Sequence, residues 1–124
     1  MAYMIHITRD PGGVLESVSE IALQDWVAAV TSIEGVRLAE GDYPVRLPET
    51  GQTFILRNNG GDAELHIPHA NEWRRTFRWE EGVIKFVGTE EFTNDPACRL
   101  RTIARALAAA LGAVMCGDDG RIHD

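Results

Sequence analysis

The feature that most constrains the fold is an amphipathic segment between residues 95 and 112. Its apolar residues recur at the three- and four-residue spacing of one helical stripe: Leu100, Ile103, Ala104, Leu107 and Leu111. Asp95 is a preferred N-cap, Pro96 suits the first helical position, and Gly112 suits the left-handed residue that ends a helix. Burying the four large stripe residues would contribute roughly 1.5–3 kcal/mol each, so we expect this helix to pack on an apolar layer.

The rest of the chain is expected to supply that layer as β-strands. Alternating or continuous apolar runs predict strands at residues 3–8, 54–57, 63–67, 73–79, 83–87 and 113–116. Residues 58–62 predict a turn that pairs the second strand with the third, and residues 80–82 predict a tight hairpin loop. Residues 39–53, with two prolines and two glycines, are interpreted as a loop.

A second helix is predicted at about residues 20–33. Leu23, Trp26, Val27 and Val30 share its apolar stripe, and Gly35 follows its end. The start is open between a capping box of Ser17 with Glu20 and a cap at Ser19. The element order is β-α-β-β-β-β-α-β. We therefore predict a single α+β domain over residues 1–124, with two helices packed on an antiparallel sheet of about five to six strands.

Composition limits the classes of function. A net charge of −7 disfavours nucleic-acid binding, which needs a basic surface, and is compatible with a basic protein partner or with simple solubility. No apolar run is long enough to span a membrane, and the amino terminus lacks the pattern of a secretory signal. The two cysteines, Cys98 and Cys116, do not form a disulfide framework. We expect a cytoplasmic protein with reduced thiols and no cofactor.

Candidate metal and nucleophile residues form no established motif. Asp118, Asp119 and Asp124 with Glu80 or Glu81 supply oxygen ligands without the spacing of a calcium loop. His66 and His69 would join His6 around zinc only if adjacent strands brought them together, and Pro68 interrupts that spacing. A nucleophilic cysteine would need a positioned base, and we expect Cys116 to be packed in an apolar run. We predict that Asp118 and Asp119 lie in a solvated turn and that the histidines lie at the surface or at strand edges. We predict no catalytic residue.

Aromatic and basic residues alternate in one predicted strand; they are Trp73, Phe77 and Trp79 with Arg74, Arg75 and Arg78. Such clusters can stack nucleic-acid bases. The period of two and the acidic surroundings favour a half-buried strand instead. Tryptophan also anchors many protein interfaces, which makes Trp73 a candidate contact residue.

Two parts of the sequence resemble a loose group of small, mostly uncharacterised bacterial proteins. One part is residues 5–9 followed by 21–26, and the other is residues 77–84, then 111–113 and 117–120. Ala22 stands where a Ser or Thr helix cap is expected. Proteins of this kind are often suspected of being immunity or accessory proteins that accompany secreted toxins. The resemblance therefore implies a binding role and no catalytic residues.

These observations favour a non-enzymatic cytoplasmic immunity protein that occludes the active site of a basic, toxin-like protein. The expected contact residues are the acidic Glu40, Asp42, Glu49, Glu80 and Glu81, with Trp73 as the aromatic anchor. One alternative is a homodimeric accessory domain that pairs through an exposed strand edge or the alanine-rich helix. The other is a small metal-dependent hydrolase that uses Asp118, Asp119 and a histidine.

Overall fold

A computed structural model describes residues 3–9, 20–58, 60–88, 98–117 and 122–123, with the main chain alone for Tyr3, Tyr43, Leu56 and His123. The chain forms nine strands and two helices among these residues. In order they are β1 (Tyr3–Thr8), α1 (Leu23–Ser32), β2 (Val36–Leu38), β3 (Tyr43–Arg46), β4 (Thr53–Leu56), β5 (Ala63–Ile67), β6 (Glu72–Glu80), β7 (Val83–Gly88), α2 (Arg99–Leu111), β8 (Val114–Gly117) and β9 (Ile122–His123).

Seven strands form one antiparallel sheet in the order β2-β5-β6-β7-β1-β8-β9, and β3 and β4 form a separate two-stranded ribbon. Buried residues of both helices and of one face of the sheet make a single apolar cluster. The predicted α+β fold is confirmed, with more strands than expected. None of the described helices is long and apolar enough to cross a membrane.

Helix α2 confirms the apolar stripe and the predicted end. Ile103, Ala104, Leu107 and Leu111 are buried, and Gly112 is left-handed with φ 62° and ψ 35°. The predicted start is wrong, because the N-cap is the extended and buried Cys98 rather than Asp95. The Cys98 carbonyl accepts hydrogen bonds from the first turn, including 3.0 Å from Thr102 Oγ1. Asp95 and Pro96 lie outside the described residues.

Helix α1 starts later than predicted. Its N-cap is Ala22, which supplies no side-chain hydrogen bond, so the caps predicted from Ser17 and Ser19 are wrong; both serines lie outside the described residues. The main-chain N–H of Ile21 donates a 2.8 Å hydrogen bond to the carbonyl of Gly82, and Ile21 is fully buried. This contact holds the chain extended up to the helix, which leaves residue 20 outside α1.

The predicted pairing of residues 54–57 with 63–67 is wrong. Strand β4 pairs with β3, which lies inside the predicted loop 39–53, whereas β5 pairs with β2 and β6. The turn before β5 is real, since the side chain of Asn58 accepts hydrogen bonds from the N–H groups of Gly60 and Asp62. Ala39 N–H then donates to the Asp62 carbonyl at 2.8 Å, which directs β5 towards β2.

The hairpin of β6 and β7 matches the prediction. Glu81 and Gly82 form its two-residue loop with φ values of 51° and 83°, the signs of a type I′ turn. Phe77 lies in the core, where its ring centroid is 5.2 Å from that of Phe86 and 6.1 Å from that of Trp26. The helices pack with this hairpin in one apolar core, and the β3–β4 ribbon lies outside the main sheet.

Candidate functional site

The ribbon of β3 and β4 with its loop, residues 43–56, is here called the β3–β4 arm. Its register places Pro44 opposite Ile55 and Val45 opposite Phe54. Two 2.8 Å hydrogen bonds close the loop, from Leu47 N–H to the Gln52 carbonyl and from Gly51 N–H to the Leu47 carbonyl. No strand of the arm is hydrogen-bonded into the seven-stranded sheet. The arm is therefore an appendage whose strand edges are not covered by that sheet.

The arm exposes two large apolar side chains. Phe54 is 52% exposed and Ile55 is 58% exposed. As neighbours on one strand they point to opposite faces of the ribbon, and a two-stranded ribbon has no interior in which to bury them. Large apolar side chains exposed on both faces of a projecting ribbon are candidate contacts for a binding partner. The sequence predicts a strand at residues 54–57 but pairs it with residues 63–67 instead of with β3.

The base of the arm is fixed by Arg75. Its Nη1 lies 3.0 Å from Asp62 Oδ2, and its Nη2 donates to the carbonyls of Glu40 at 2.7 Å and Gly41 at 2.6 Å. The side chains of Arg75 and Asp62 are only 16% and 8% exposed. The ion pair with Asp62 lies in a site of low exposure, where charged hydrogen bonds are stronger than at the surface, whereas the two bonds to the carbonyls are exposed. These contacts of Arg75 therefore hold the base of the arm against the domain.

Three of the predicted acidic contact residues surround the arm. Glu40 and Asp42 lie at its base and Glu49 lies in its loop, and all three are exposed. Asp42 Oδ1 accepts a 2.9 Å hydrogen bond from the N–H of Asn58, which gives this carboxylate a local role as well. The arm also carries the exposed Arg46, so its charge is mixed.

Trp73 lies elsewhere, on the face of the sheet opposite the helices. The guanidinium carbon of Arg37 is 4.1 Å from the centroid of its ring, and the ring of His66 is 5.0 Å away between centroids. Arg37 is held in turn by Glu64, with Nε and Oε1 3.0 Å apart. The half-buried indole is thus stacked against residues of its own sheet.

The predicted residues at the hairpin tip are far from Trp73. Glu80 is seven residues along β6, which corresponds to about 23 Å of extended strand. Its Oε2 lies 3.7 Å from Arg78 Nε and 3.9 Å from Lys85 Nζ, so Glu80 takes part in local ion pairs. Glu81 is exposed at the turn. The structure does not bring Trp73, the hairpin tip and the arm into one compact site.

The histidines do not converge. His6 is on β1 and His66 is on β5, and strands β6 and β7 lie between them, which separates their backbones by about 14 Å. The alternative in which adjacent strands bring His6 and His66 together around zinc is therefore excluded. Within the part of the chain that the structure describes, no three His, Cys, Asp or Glu side chains are grouped to hold a metal ion. Asp118, Asp119 and Asp124 lie outside the described residues.

Strand register reveals one juxtaposition that the sequence could not. His6 lies directly opposite Cys116 on the neighbouring strand, and Lys85 lies opposite His6 on its other side. Cys116 is buried and its thiol contacts the Gly117 carbonyl at 3.6 Å. Cys98 is buried at the start of α2. Both thiols are packed, as expected for Cys116.

A cleft of about 390 Å³ lies beside the start of α2. Leu65, Ile67 and Leu100 line it together with Arg74 and Arg99. Both arginines already have partners, because Arg74 is paired with Glu72 and Arg99 donates a 2.7 Å hydrogen bond to the His66 carbonyl. The sequence does not predict this cleft, because its lining combines residues from four separate elements, β5, β6, β7 and α2.

Comparison of the chain with protein-family models, with curated proteins and with solved structures gives no match. Among the residues that the structure describes, the β3–β4 arm carries the two most exposed large apolar side chains, Phe54 and Ile55, with acidic residues nearby.

Proposed function

We propose that this protein is a non-enzymatic, cytoplasmic protein-binding domain, most concretely an immunity protein that neutralises a cognate bacterial toxin by occluding its active site. The observation that carries the proposal is the projecting β3–β4 arm, on which Phe54 and Ile55 are more than half exposed. Their position beside acidic residues fits a basic protein partner.

The arm has the physical character of a contact surface. Interfaces typically combine a desolvated apolar centre with a polar rim. Phe54 and Ile55, on opposite faces of the ribbon, would each form an apolar centre against one wall of a cleft, and Glu40, Asp42 and Glu49 would form the rim. A narrow ribbon can enter a cleft that a flat sheet face cannot. Occlusion of a basic cleft would then follow from shape and charge together.

Charge would act mainly on the rate of capture. With a net charge of −7, the protein attracts a basic partner over distances comparable to the Debye length. Such steering raises the association rate and is weakened by salt. Arg75 holds the base of the arm before any partner binds. This would limit the conformational entropy that is lost when the arm docks.

The first test uses the toxin-like protein encoded beside the gene for this chain, if one is present, purified and titrated calorimetrically. The double substitution Phe54→Ser with Ile55→Ser should weaken binding about 30-fold or more, as expected for loss of an apolar hot spot. Val87→Ser is the matched control, since Val87 is also large, apolar and 47% exposed but lies on β7. Absence of a toxin-like neighbour, or equal losses in both variants, would count against the proposal.

A second test separates charge from contact. Glu40→Gln with Glu49→Gln should slow association and reduce its dependence on salt, with little change in dissociation. Glu34→Gln removes one exposed carboxylate after α1 and serves as the control. Stopped-flow measurements at low and high salt give both rates. If the double substitution changes neither the association rate nor its salt dependence, Glu40 and Glu49 have no part in the capture of the partner.

A further inference from the structure

The strand edges of this protein differ in how readily they can pair with a strand of another chain. The edge strands of the main sheet, β2 and β9, have three and two residues, and short edges of this kind resist pairing with other chains. The arm has two further edges. On β3 the outer edge contains Pro44, which has no N–H to donate. Strand β4, Thr53–Leu56, contains no proline and no charged residue.

The loop hydrogen bond fixes which groups of β4 face outwards. Leu47 N–H donates to the Gln52 carbonyl, so residues 47 and 52 form a hydrogen-bonded pair. Hydrogen-bonded and non-hydrogen-bonded pairs alternate along an antiparallel ribbon. Pro44 and Ile55 are therefore a non-hydrogen-bonded pair, as are Arg46 and Thr53. The N–H and C=O groups of Thr53 and Ile55 point away from β3 and bond to no other described main-chain group.

We propose that the chain forms a dimer by antiparallel pairing of β4 with β4 of a second copy. The outward groups define the register. Thr53 of each copy forms a hydrogen-bonded pair with Ile55 of the other, and the two-fold axis passes beside Phe54. The two Phe54 residues then form a non-hydrogen-bonded pair, the closer of the two pair types. The product is a four-stranded sheet with two β3 strands at its edges, each carrying Pro44.

The uncharged edge of β4 favours a second copy as the occupant. Two chains of net charge −7 repel each other over most of their surfaces, but β4 itself is uncharged. In the proposed register Arg57 of each copy lies opposite residue 51 of the other, inside the loop that carries the acidic Glu49. Arg46 of that copy also lies beside Gly51, so charges of both signs meet at each end of the strand pair. Pairing uses the main-chain edge of β4, so this proposal does not depend on the proposed function.

The dimer should be weak. Four residues a side bury less area than a standard protein interface, so we expect a dissociation constant of roughly 0.1–1 mM. Sedimentation equilibrium of the full chain from about 10 µM to about 1 mM covers this range. A mass that rises towards twice the monomer mass is expected. A monomer mass at every concentration would overturn the proposal.

Two substitutions at Ile55 test the main-chain contact. Ile55→Pro removes the outward N–H and leaves the hydrogen bonds within the arm intact, as Pro44 does on the opposite strand. It should weaken dimerisation at least about 10-fold, the effect of losing two of four hydrogen bonds. Ile55→Thr keeps the N–H and the strand propensity, and should weaken it less. Equal effects of the two substitutions would overturn the edge-pairing geometry.

Disulfide trapping tests the register independently. In Phe54→Cys the two introduced thiols are cross-strand partners, at a Cα separation of about 4.5 Å that a disulfide can span. Oxidation should convert this variant to a covalent dimer. In Thr53→Cys the thiols are offset by two residues along the strands and should cross-link slowly. The native Cys98 and Cys116 are buried, which keeps the background low. Faster trapping of Thr53→Cys would overturn the register.

Discussion

The indole Nε1–H of Trp26 donates a 2.7 Å hydrogen bond to the carbonyl oxygen of Gly61. Trp26 is fully buried on α1, and Gly61 lies in the turn that leads into β5. The contact joins the first helix to the segment from which the arm returns. It also brings the turn so close to the core that a Cβ atom on Gly61 would lie 2.5 Å from Cβ of Trp79.

Gly61→Ala should therefore destabilise the domain by about 1–3 kcal/mol, because the added methyl group forces the turn away from Trp79 and stretches the bond from Trp26. Gly41→Ala is the control. Gly41 has a left-handed φ of 72° but open space around it, so its cost is conformational only, about 1 kcal/mol. Urea unfolding measures both. A smaller loss for Gly61→Ala than for Gly41→Ala would contradict this account.

Arg75→Met should cost about 3–5 kcal/mol, because it leaves the Asp62 carboxylate buried without its cationic partner. It also removes the donor to the Glu40 and Gly41 carbonyls, so amide exchange in residues 43–56 should become faster. Arg74→Met is the matched control on the same strand. Arg74 is 59% exposed and paired only at the surface, so its loss should cost less than about 1 kcal/mol. Unchanged amide exchange of residues 43–56 in Arg75→Met would show that Arg75 does not hold the base of the arm.

Leu107→Ala should destabilise the domain by about 2–5 kcal/mol, since Leu107 is fully buried at the centre of the α2 stripe and its removal leaves a cavity. Leu100→Ala on the same helix should cost less, because Leu100 is only half-buried at the end of the stripe. Thermal unfolding ranks the two variants. The reverse order would mean that the helix is seated differently on the sheet.

The parts of the fold that the sequence predicted are those fixed by neighbours along the chain. The stripe of α2, its left-handed Gly112 and the hairpin at Glu81-Gly82 each depend on spacings of fewer than five residues. The helix starts were missed because they depend on distant contacts, such as the bond from Ile21 to Gly82. The fold class followed from the number and type of elements, which local patterns give well.

Strand partners and site geometry could not be obtained in this way. The turn at Asn58 was identified, yet it directs β5 to β2, and nothing in the local pattern distinguishes that partner from β4. Tryptophan is a residue type that often anchors interfaces, but the stacking of Trp73 against Arg37 depends on the register of β2, β5 and β6. The exposed Phe54 and Ile55 are apolar residues that a sequence pattern assigns to a core.

Glu81→Asn should stabilise the domain by about 0.5–1 kcal/mol while it removes a predicted contact charge. Glu81 has a φ of 51°, a left-handed conformation that asparagine tolerates better than glutamate, and Asn-Gly is the preferred pair for this turn. Glu81→Gln removes the same charge and keeps the conformational cost. If a basic partner contacts the hairpin tip, both variants should bind it more weakly, and only Glu81→Asn should unfold at higher urea. Equal stability of the two variants would contradict the turn assignment, and unchanged affinity in both would remove Glu81 from the contact surface.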